Sequence, residues 1–414
     1  MSVTTTLVRP RKPSPPADVT AARERSTRRR VGIIWALLIL NVLTFYPKTW
    51  SGQPLLIPIP SAAGKLMTQG SLPLALLLAL TVNRRLTIRP NVYMCLVSLL
   101  AVEAIVTSME AGHIGTIYRT FRLLMFVITL WLLTPFWGRR DLLLVRCHLV
   151  ATFFVLSTVL LGLFVAPSTA ISQGRLAGTL WPTPPPQVAE FAAVTSGLVI
   201  VLWLGGVLRG RIALCVVPVT ITILLLTHTR TALVAMTAGL LVGGMSLFAA
   251  RARVRRLFAI AGVVVSVGAI TLGGLVTTWL ARGEGTQQLT DLTGRTNVWT
   301  QVVTIPRDRM QTWFGFGLSN KSFNGLPIDS NWLATYLDQG MFGIVISASI
   351  LVFLLINAYF RPRGVQRALA LFLVTYCLVA SFTETGFSDA STYLLEITLA
   401  ASLLVPSVGE KSSV

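Results

Sequence analysis

The stretch RGRIALCVVPVTITILLLTHTRTALVAMTAGLLVGGMSLFAARARVRR, residues 209–256, decides the fold. It holds two apolar runs, 211–227 and 231–250, joined by a connection of only a few residues and bounded at both ends by arginines. Each run approaches the roughly 20 residues that a helix needs to cross the hydrocarbon core of a bilayer. A chain that crosses and returns at once brings both of its ends to one side. Arg209, Arg211 and the cations at Arg251–Arg256 then share a face, and the step Thr229-Arg230 lies at the opposite one.

The same pattern extends outward in both directions. Apolar runs at 31–46, 65–83, 91–109, 117–136, 142–166, 187–208, 255–280, 331–358, 366–383 and 390–406 bring the expected number of spans to twelve. The predicted fold class is an all-α polytopic membrane bundle. Its expected parts are a disordered basic tail (1–30), nine spans (31–280), a large outer loop (281–330), three spans (331–406) and a short tail (407–414). Of the 35 Lys and Arg, 24 fall in the tails and in one set of alternating loops and 11 in the other set. By the positive-inside rule the rich set is cytoplasmic, and so are both termini.

Composition excludes a soluble protein. The chain is 53% apolar and only 12% charged, with a mean hydropathy of +0.72, where a soluble domain carries about 25% charged residues. The net charge of +20 is not a nucleic-acid signal, because the whole excess falls on the cytoplasmic side, facing anionic membrane lipids. Cys95, Cys147, Cys215 and Cys377 lie far apart in apolar stretches, and the three histidines are scattered, so neither a disulfide framework nor a metal site is expected.

The 11 outer cations direct attention to the outer face. Arg230 sits at the membrane edge with apolar helix on both sides, a place where ionisable groups face a cavity or a partner; position alone also fits a snorkelling arginine. In LTGRTNVW (292–299), Thr293 caps a helix beginning near Arg295, a setting that suits phosphate or, equally, an exposed loop. In WFGFGL (313–318), two glycines permit close backbone approach, and the aromatics suit sugar stacking or an interfacial belt. Asp329 opens DSNWLATYLDQGMFG (329–343), as a helix N-cap or as a carboxylate able to take a proton from a hydroxyl.

These four elements, in this order, resemble the O-antigen ligase and polymerase family of membrane glycosyltransferases. The family's Ser-Arg step between two spans is matched by Thr229-Arg230, and its Gly-Arg…Trp before the large loop by Gly294-Arg295 and Trp299. Its P-x-x-G-x-G is matched in part by Gly315 and Gly317, without the proline. Its H-N-x-x-L…G is matched at Leu333 and Gly340, and RLAGTLWPTP (175–184) resembles an earlier family loop. The resemblance covers about residues 170–345. One position departs: the family's His falls on Asp329, and its Asn on Ser330.

The resemblance implies a GT-C-like enzyme of the bacterial inner membrane. A saccharide would pass from a polyprenyl-diphosphate donor to a glycan or glycolipid acceptor on the outer face. Arg230 and Arg295 would hold the diphosphate, with no metal and no cofactor, and Asp329 would be the acceptor-side base of a single inverting displacement. Arg175, Arg119, Arg122, Trp299 and Trp313 are the further candidates for substrate contact, with snorkelling the competing reading of Arg119 and Arg122. Lys65 and His228 are weaker candidates. Glu103 and Glu396 are intramembrane carboxylates, and Glu384 and Asp389 line the last outer turn. The alternatives are a transporter or flippase of lipid-linked saccharides, which would show paired repeats with broken helices, and a catalytically degenerate family member.

Overall fold

The computed structural model describes residues 17–43, 45–46, 48–50, 52–248, 251–260 and 295–406. The apolar runs fold as helices because hydrocarbon offers peptide groups no water, and a helix satisfies them internally. In chain order these are α1 (Ala17–Val42), α2 (Ser61–Val82), α3 (Val92–Ala111), α4 (Ile114–Leu133), α5 (Leu143–Val165), the single turn α6 (Pro167–Ala170), α7 (Pro185–Leu204), α8 (Gly210–Leu226) and α9 (Arg230–Phe248). After the undescribed segment come α10 (Arg295–Thr304), α11 (Arg309–Phe314), α12 (Asn331–Phe360), α13 (Val365–Ala380) and α14 (Thr392–Leu404). The described strands form two short antiparallel hairpins, β1–β2 (Ile171–Ser172 with Arg175–Leu176) and β3–β4 (Ser322–Phe323 with Leu326–Pro327).

Among the described residues, seven helices are long and apolar enough to cross a membrane: α2, α3, α4 continued to Phe136, α5, α7, α9 and α12. The chain is a helical, multi-pass membrane protein. Three of the remaining expected spans are the apolar helices α8, α13 and α14, of 17, 16 and 13 residues. At 1.5 Å per residue they reach about 20–26 Å, short of a hydrocarbon core of about 30 Å. Helices α13 and α14 are nearly enclosed by their neighbours, so protein replaces lipid along much of their length. The expected span 255–280 lies outside the described residues beyond residue 260.

Helix α7 forms the centre, with 83% of its apolar window buried against 28–50% for the other six. Helix α9 packs on α13 through Gly239 and Gly243, four residues apart. A Cβ at either would stand 2.8 Å from a carbonyl oxygen, that of Phe372 or Ala368. This small-xxx-small stripe lets the two backbones touch. It sets the end of α9 that carries Arg230 beside the turn that follows α13. The connections 83–91, 137–142, 205–209 and 361–364 gather at one end of the bundle, the basic face; 166–184, 227–229, 315–330 and 381–391 gather at the other, the loop face.

One boundary is corrected. Residues 17–30, expected to be part of a disordered tail, form the first half of α1. The sequence AARERSTRRR is rich in good helix formers, and Glu24 pairs with Arg28 one turn on, at 3.0 Å. Arg139 then bridges Glu24 (2.7 Å) and Asp141 (3.0 Å), while Arg28 reaches Asp141 at 3.2 Å. Hydrogen bonding from Arg139, then Arg28, holds the Glu24 carboxyl below its ordinary range. Burial raises Asp141, but the hydrogen bond and charge of Arg139 outweigh it, and the net shift is downward. Both folded-state pKa values are depressed, so the stabilisation is complete above the ordinary carboxylate range and is lost as pH falls through the lowered values, below about pH 4. Hydrogen-exchange protection of amides 21–30 is expected to drop in that window, and to drop already at neutral pH in Asp141→Asn. Unchanged protection in both would show the network to be idle.

Candidate active site at the loop face

The segment leading into α12 is fastened by a break in that helix. Gly340 has φ 61° and ψ −158°, so the helix stops after Gln339 and restarts at Met341. A Cβ there would fall 2.6 Å from the Phe314 nitrogen, and one at Gly315 (φ 74°) would fall 2.5 Å from the Asp338 carbonyl oxygen. Both positions demand glycine, for left-handed backbone and for main-chain contact. The freed carbonyls of Leu337 and Asp338 accept from the backbone N–H groups of Phe316 and Gly317, each at 2.9 Å. The Asp338 carboxylate, fully buried, accepts from the Ser319 N–H at 3.1 Å and pairs with the Lys321 ammonium. The glycines of WFGFGL thus serve close backbone approach, and what approaches is the protein's own broken helix. Phe314 packs on Phe342, Phe316 lies under the Arg307 guanidinium, and the Trp313 ring is 53% exposed.

Asp338 should be decisive for this fastening. Asp338→Asn leaves the largely buried Lys321 ammonium without its counter-charge, a loss of about 3–5 kcal/mol when a buried pair is broken from one side. We expect faster proteolysis of residues 315–330, and partial recovery when Lys321→Met is added. Wild-type resistance in Asp338→Asn alone would contradict the assignment.

Helix α10 rests on the same region. Val298 and Val302 cluster with Ile328, Ala334 and Leu337, so the helix that begins at Arg295 is docked on the chain adjoining Asp329. Arg307 clamps this layer: its guanidinium lies 4.0 Å from the Tyr336 ring centroid and donates to the carbonyls of Tyr336 (2.9 Å) and Val302 (3.1 Å). Burial lowers the Arg307 pKa from its ordinary value.

Asp329 is half-buried and is not the helix cap. The N-cap is Ser330, so the capping reading of Asp329 is corrected; the cap falls one residue later because Asn331 already has helical geometry. Asn331 is buried and stitches the acidic turn to the start of α12. Its Oδ1 accepts from the N–H groups of Gly386 (3.1 Å) and Phe387 (2.9 Å), and its own N–H donates to the Ser381 carbonyl at 2.9 Å.

Arg230 is the first residue of α9 and is half-buried. Its Nε is buried and finds no hydrogen-bond partner among the described residues. The hydroxyls of Thr231 and Thr383 meet at 2.6 Å, which sets the start of α9 against the 383–390 turn. From the other side Arg175, on β2, donates to the Thr227 carbonyl (3.0 Å) and to the Thr229 hydroxyl (3.3 Å). Residues distant in sequence are therefore linked by direct contacts, from Arg175 through 227–231 and 383–387 to Asn331, two residues past Asp329.

The other candidates divide. The Arg295 side chain lies outside the described residues, and so does Gly294; the expected convergence of Arg230 and Arg295 rests on that side chain. Arg122 is a brace: it donates to Asn41 Oδ1 (3.0 Å), the Asn41 carbonyl (3.1 Å) and the Ala390 carbonyl (2.9 Å). Those bonds commit much of its donor capacity to the protein, which corrects the snorkelling reading; Nη1 makes none of them. Arg119, one turn earlier, is half-buried and makes no hydrogen bond or ion pair with the described residues. Trp299 is half-buried with its Nε1 unpartnered among them. Lys65 is exposed, and His228 has the left-handed φ of 49° in the turn before Arg230. Asp389 accepts from the Ala390 N–H at 2.6 Å, and Glu384 is half-buried. Glu103 is buried beside Gln339 and Thr107, and Glu396 beside Glu190 and Cys377.

Four residues were not singled out from sequence: Asn331, Asp338, Lys321 and Arg307. The signal for Asp338 was available, since an ionisable residue within an apolar run requires a partner. No family model matches the chain, and no curated protein matches it in sequence.

Proposed function

We propose that the protein is a membrane glycosyltransferase of the O-antigen ligase or polymerase type, a GT-C-like bundle of twelve spans with both termini cytoplasmic. It transfers a saccharide from a polyprenyl-diphosphate donor to an acceptor sugar on the extracytoplasmic side. The observation that carries this reading is Arg230: a guanidinium at the membrane edge, its Nε buried and unpartnered among the described residues, between the Arg175 hairpin and an acidic turn. A half-buried guanidinium with a buried, unmatched Nε suits an anion, and its planar fork suits phosphate oxygens.

In this mechanism Arg230, with Arg295 from the start of α10, binds the diphosphate and stabilises the charge that develops on it as the glycosidic C–O bond breaks. Cations at the diphosphate take the place a metal ion would fill, and diphosphate leaves without protonation. Arg175 positions the 227–230 turn. Asp329 accepts the proton of the acceptor hydroxyl, whose oxygen attacks the anomeric carbon from the opposite face, so configuration inverts. Arg119, Trp299 and Trp313 are left to contact lipid phosphate and sugar.

The alternative, a transporter of lipid-linked saccharides, draws support from the break at Gly340, since transporters use broken helices. No second interior break accompanies it among the described helices, and 20 residues follow it in α12, enough for about 30 Å, so the break sits towards the loop face and not at midplane. Purified protein in detergent micelles separates the readings, because a micelle has no second compartment to transport into. Saccharide transfer from donor to acceptor in micelles is the expected result; donor flipping in vesicles without transfer in micelles would overturn the proposal. Orientation is checked in intact cells with an impermeant thiol reagent: Met310→Cys should label and Ser412→Cys should not, and the reverse pattern would invert the topology.

A further inference from the structure

A groove of about 750 Å³ runs along the lipid-facing side of the molecule between α1 and α5, away from the loop-face site. Its walls are apolar, formed by residues such as Ile33, Leu37, Leu40, Val150 and Phe154. At the basic face, Arg29 and Arg146 stand at its mouth; at the opposite end it stops against Leu43 and Trp181. The helices touch near the basic end, where a Cβ on Gly32 would lie 3.5 Å from Cys147 Sγ. From Arg146 to Thr158 the groove covers thirteen residues of α5, a rise of about 18 Å, and from Arg29 to Leu43 it follows the α1 side for about 21 Å.

The charges at the mouth are unequal in their partners. The two described carboxylates on this face, Glu24 and Asp141, are both taken by Arg28 and Arg139. Arg29 and Arg146 are exposed and make no hydrogen bond or ion pair with the described residues. Two guanidiniums without a partner among the described residues, at the headgroup level and at the mouth of a long apolar groove, match the chemistry of a phosphate carried on an acyl chain.

We infer that the α1–α5 groove is a binding site for an anionic glycerophospholipid, with an acyl chain between the helices and the headgroup phosphate on Arg29 and Arg146. The site is separate from the transfer reaction and does not depend on it. Such a lipid would bridge α1 to α5 at the face where α1 is otherwise tied by the Glu24–Arg139 network.

The test is native mass spectrometry of the full-length protein with phosphatidylglycerol and phosphatidylcholine added singly to micelles. The wild type should retain phosphatidylglycerol about tenfold more than phosphatidylcholine, because the choline cation offsets the phosphate charge that the two arginines attract. Arg29→Gln with Arg146→Gln should bring the ratio near one with phosphatidylcholine adducts unchanged. Ala36→Trp, on an exposed position that lines the groove, should lower retention of both lipids. Arg211→Gln, on the same face but outside the groove lining, should leave the ratio alone. Equal retention by the wild type, a preserved preference in the double variant, or an equal loss in Arg211→Gln would overturn the site. Displacement of phosphatidylglycerol by an equal concentration of polyprenyl phosphate would overturn the assignment to a glycerophospholipid.

Discussion

Arg230→Ala is expected to lower saccharide transfer by about 10²–10³-fold, the usual worth of one preorganised donor to developing charge in a water-poor site. Donor binding should weaken with it, because the same guanidinium meets the diphosphate in the ground state. Folding should survive: Arg230 makes no hydrogen bond or ion pair with the described residues, and the Thr231–Thr383 bond that fixes the start of α9 is untouched. Arg230→Lys keeps the charge but loses the planar fork, so it should recover part of the binding and little of the rate. Arg175→Ala offers a contrast. It removes the bonds to Thr227 and Thr229, so its effect should appear largely as a displaced Arg230 and be reduced by Arg175→Lys. Wild-type transfer by Arg230→Ala would remove the residue from the site.

The second large effect is expected at Asp329. Asp329→Asn keeps size and polarity but removes the basic oxygen, and should cut turnover by about 10²–10⁴. The helix cap is Ser330 and the acidic turn is held by Asn331, so the start of α12 does not rely on Asp329 for either. Donor binding should change little. Asp329→His, which installs the residue that the resembled family carries there, should retain partial activity with a pH profile moved towards the imidazole range. Near-normal turnover in Asp329→Asn with stability unchanged would show that the proton leaves by another route.

Hydropathy made the long helices legible, because a segment surrounded by lipid must be apolar along its length and helical throughout. It failed where protein replaces lipid or water. Helices α13 and α14 are apolar because the bundle encloses them, so their composition could not report that they are shorter than the bilayer. Residues 17–30 are charged enough to read as solvated, yet Glu24 and Asp141 organise those charges into a helix and a contact that no local pattern displays. The break in α12 was hidden for a related reason. Gly340 sits in an apolar run where glycine is tolerated, and only the approach of Gly315 from a segment 25 residues earlier makes its left-handed backbone necessary.

The candidate site was legible in outline and not in detail. Arg230 and Asp329 announced themselves as charges at span ends, and the structure links the surroundings of both through Thr383, Gly386 and Asn331. Arg122 announced itself equally, and it proves to brace the carbonyls of Asn41 and Ala390. Sequence shows that a cation escaped the charge bias; it does not show whether a ligand or the protein's own backbone is the reason.

The most direct test of the central claim is a single-turnover reaction of the purified protein with a donor labelled separately in its saccharide and in its lipid diphosphate. The account predicts one polyprenyl diphosphate released for each saccharide joined to acceptor, with the new glycosidic bond inverted relative to the donor and with Arg230→Ala silent in the same assay. Retained configuration, or diphosphate release without a joined saccharide, would contradict it.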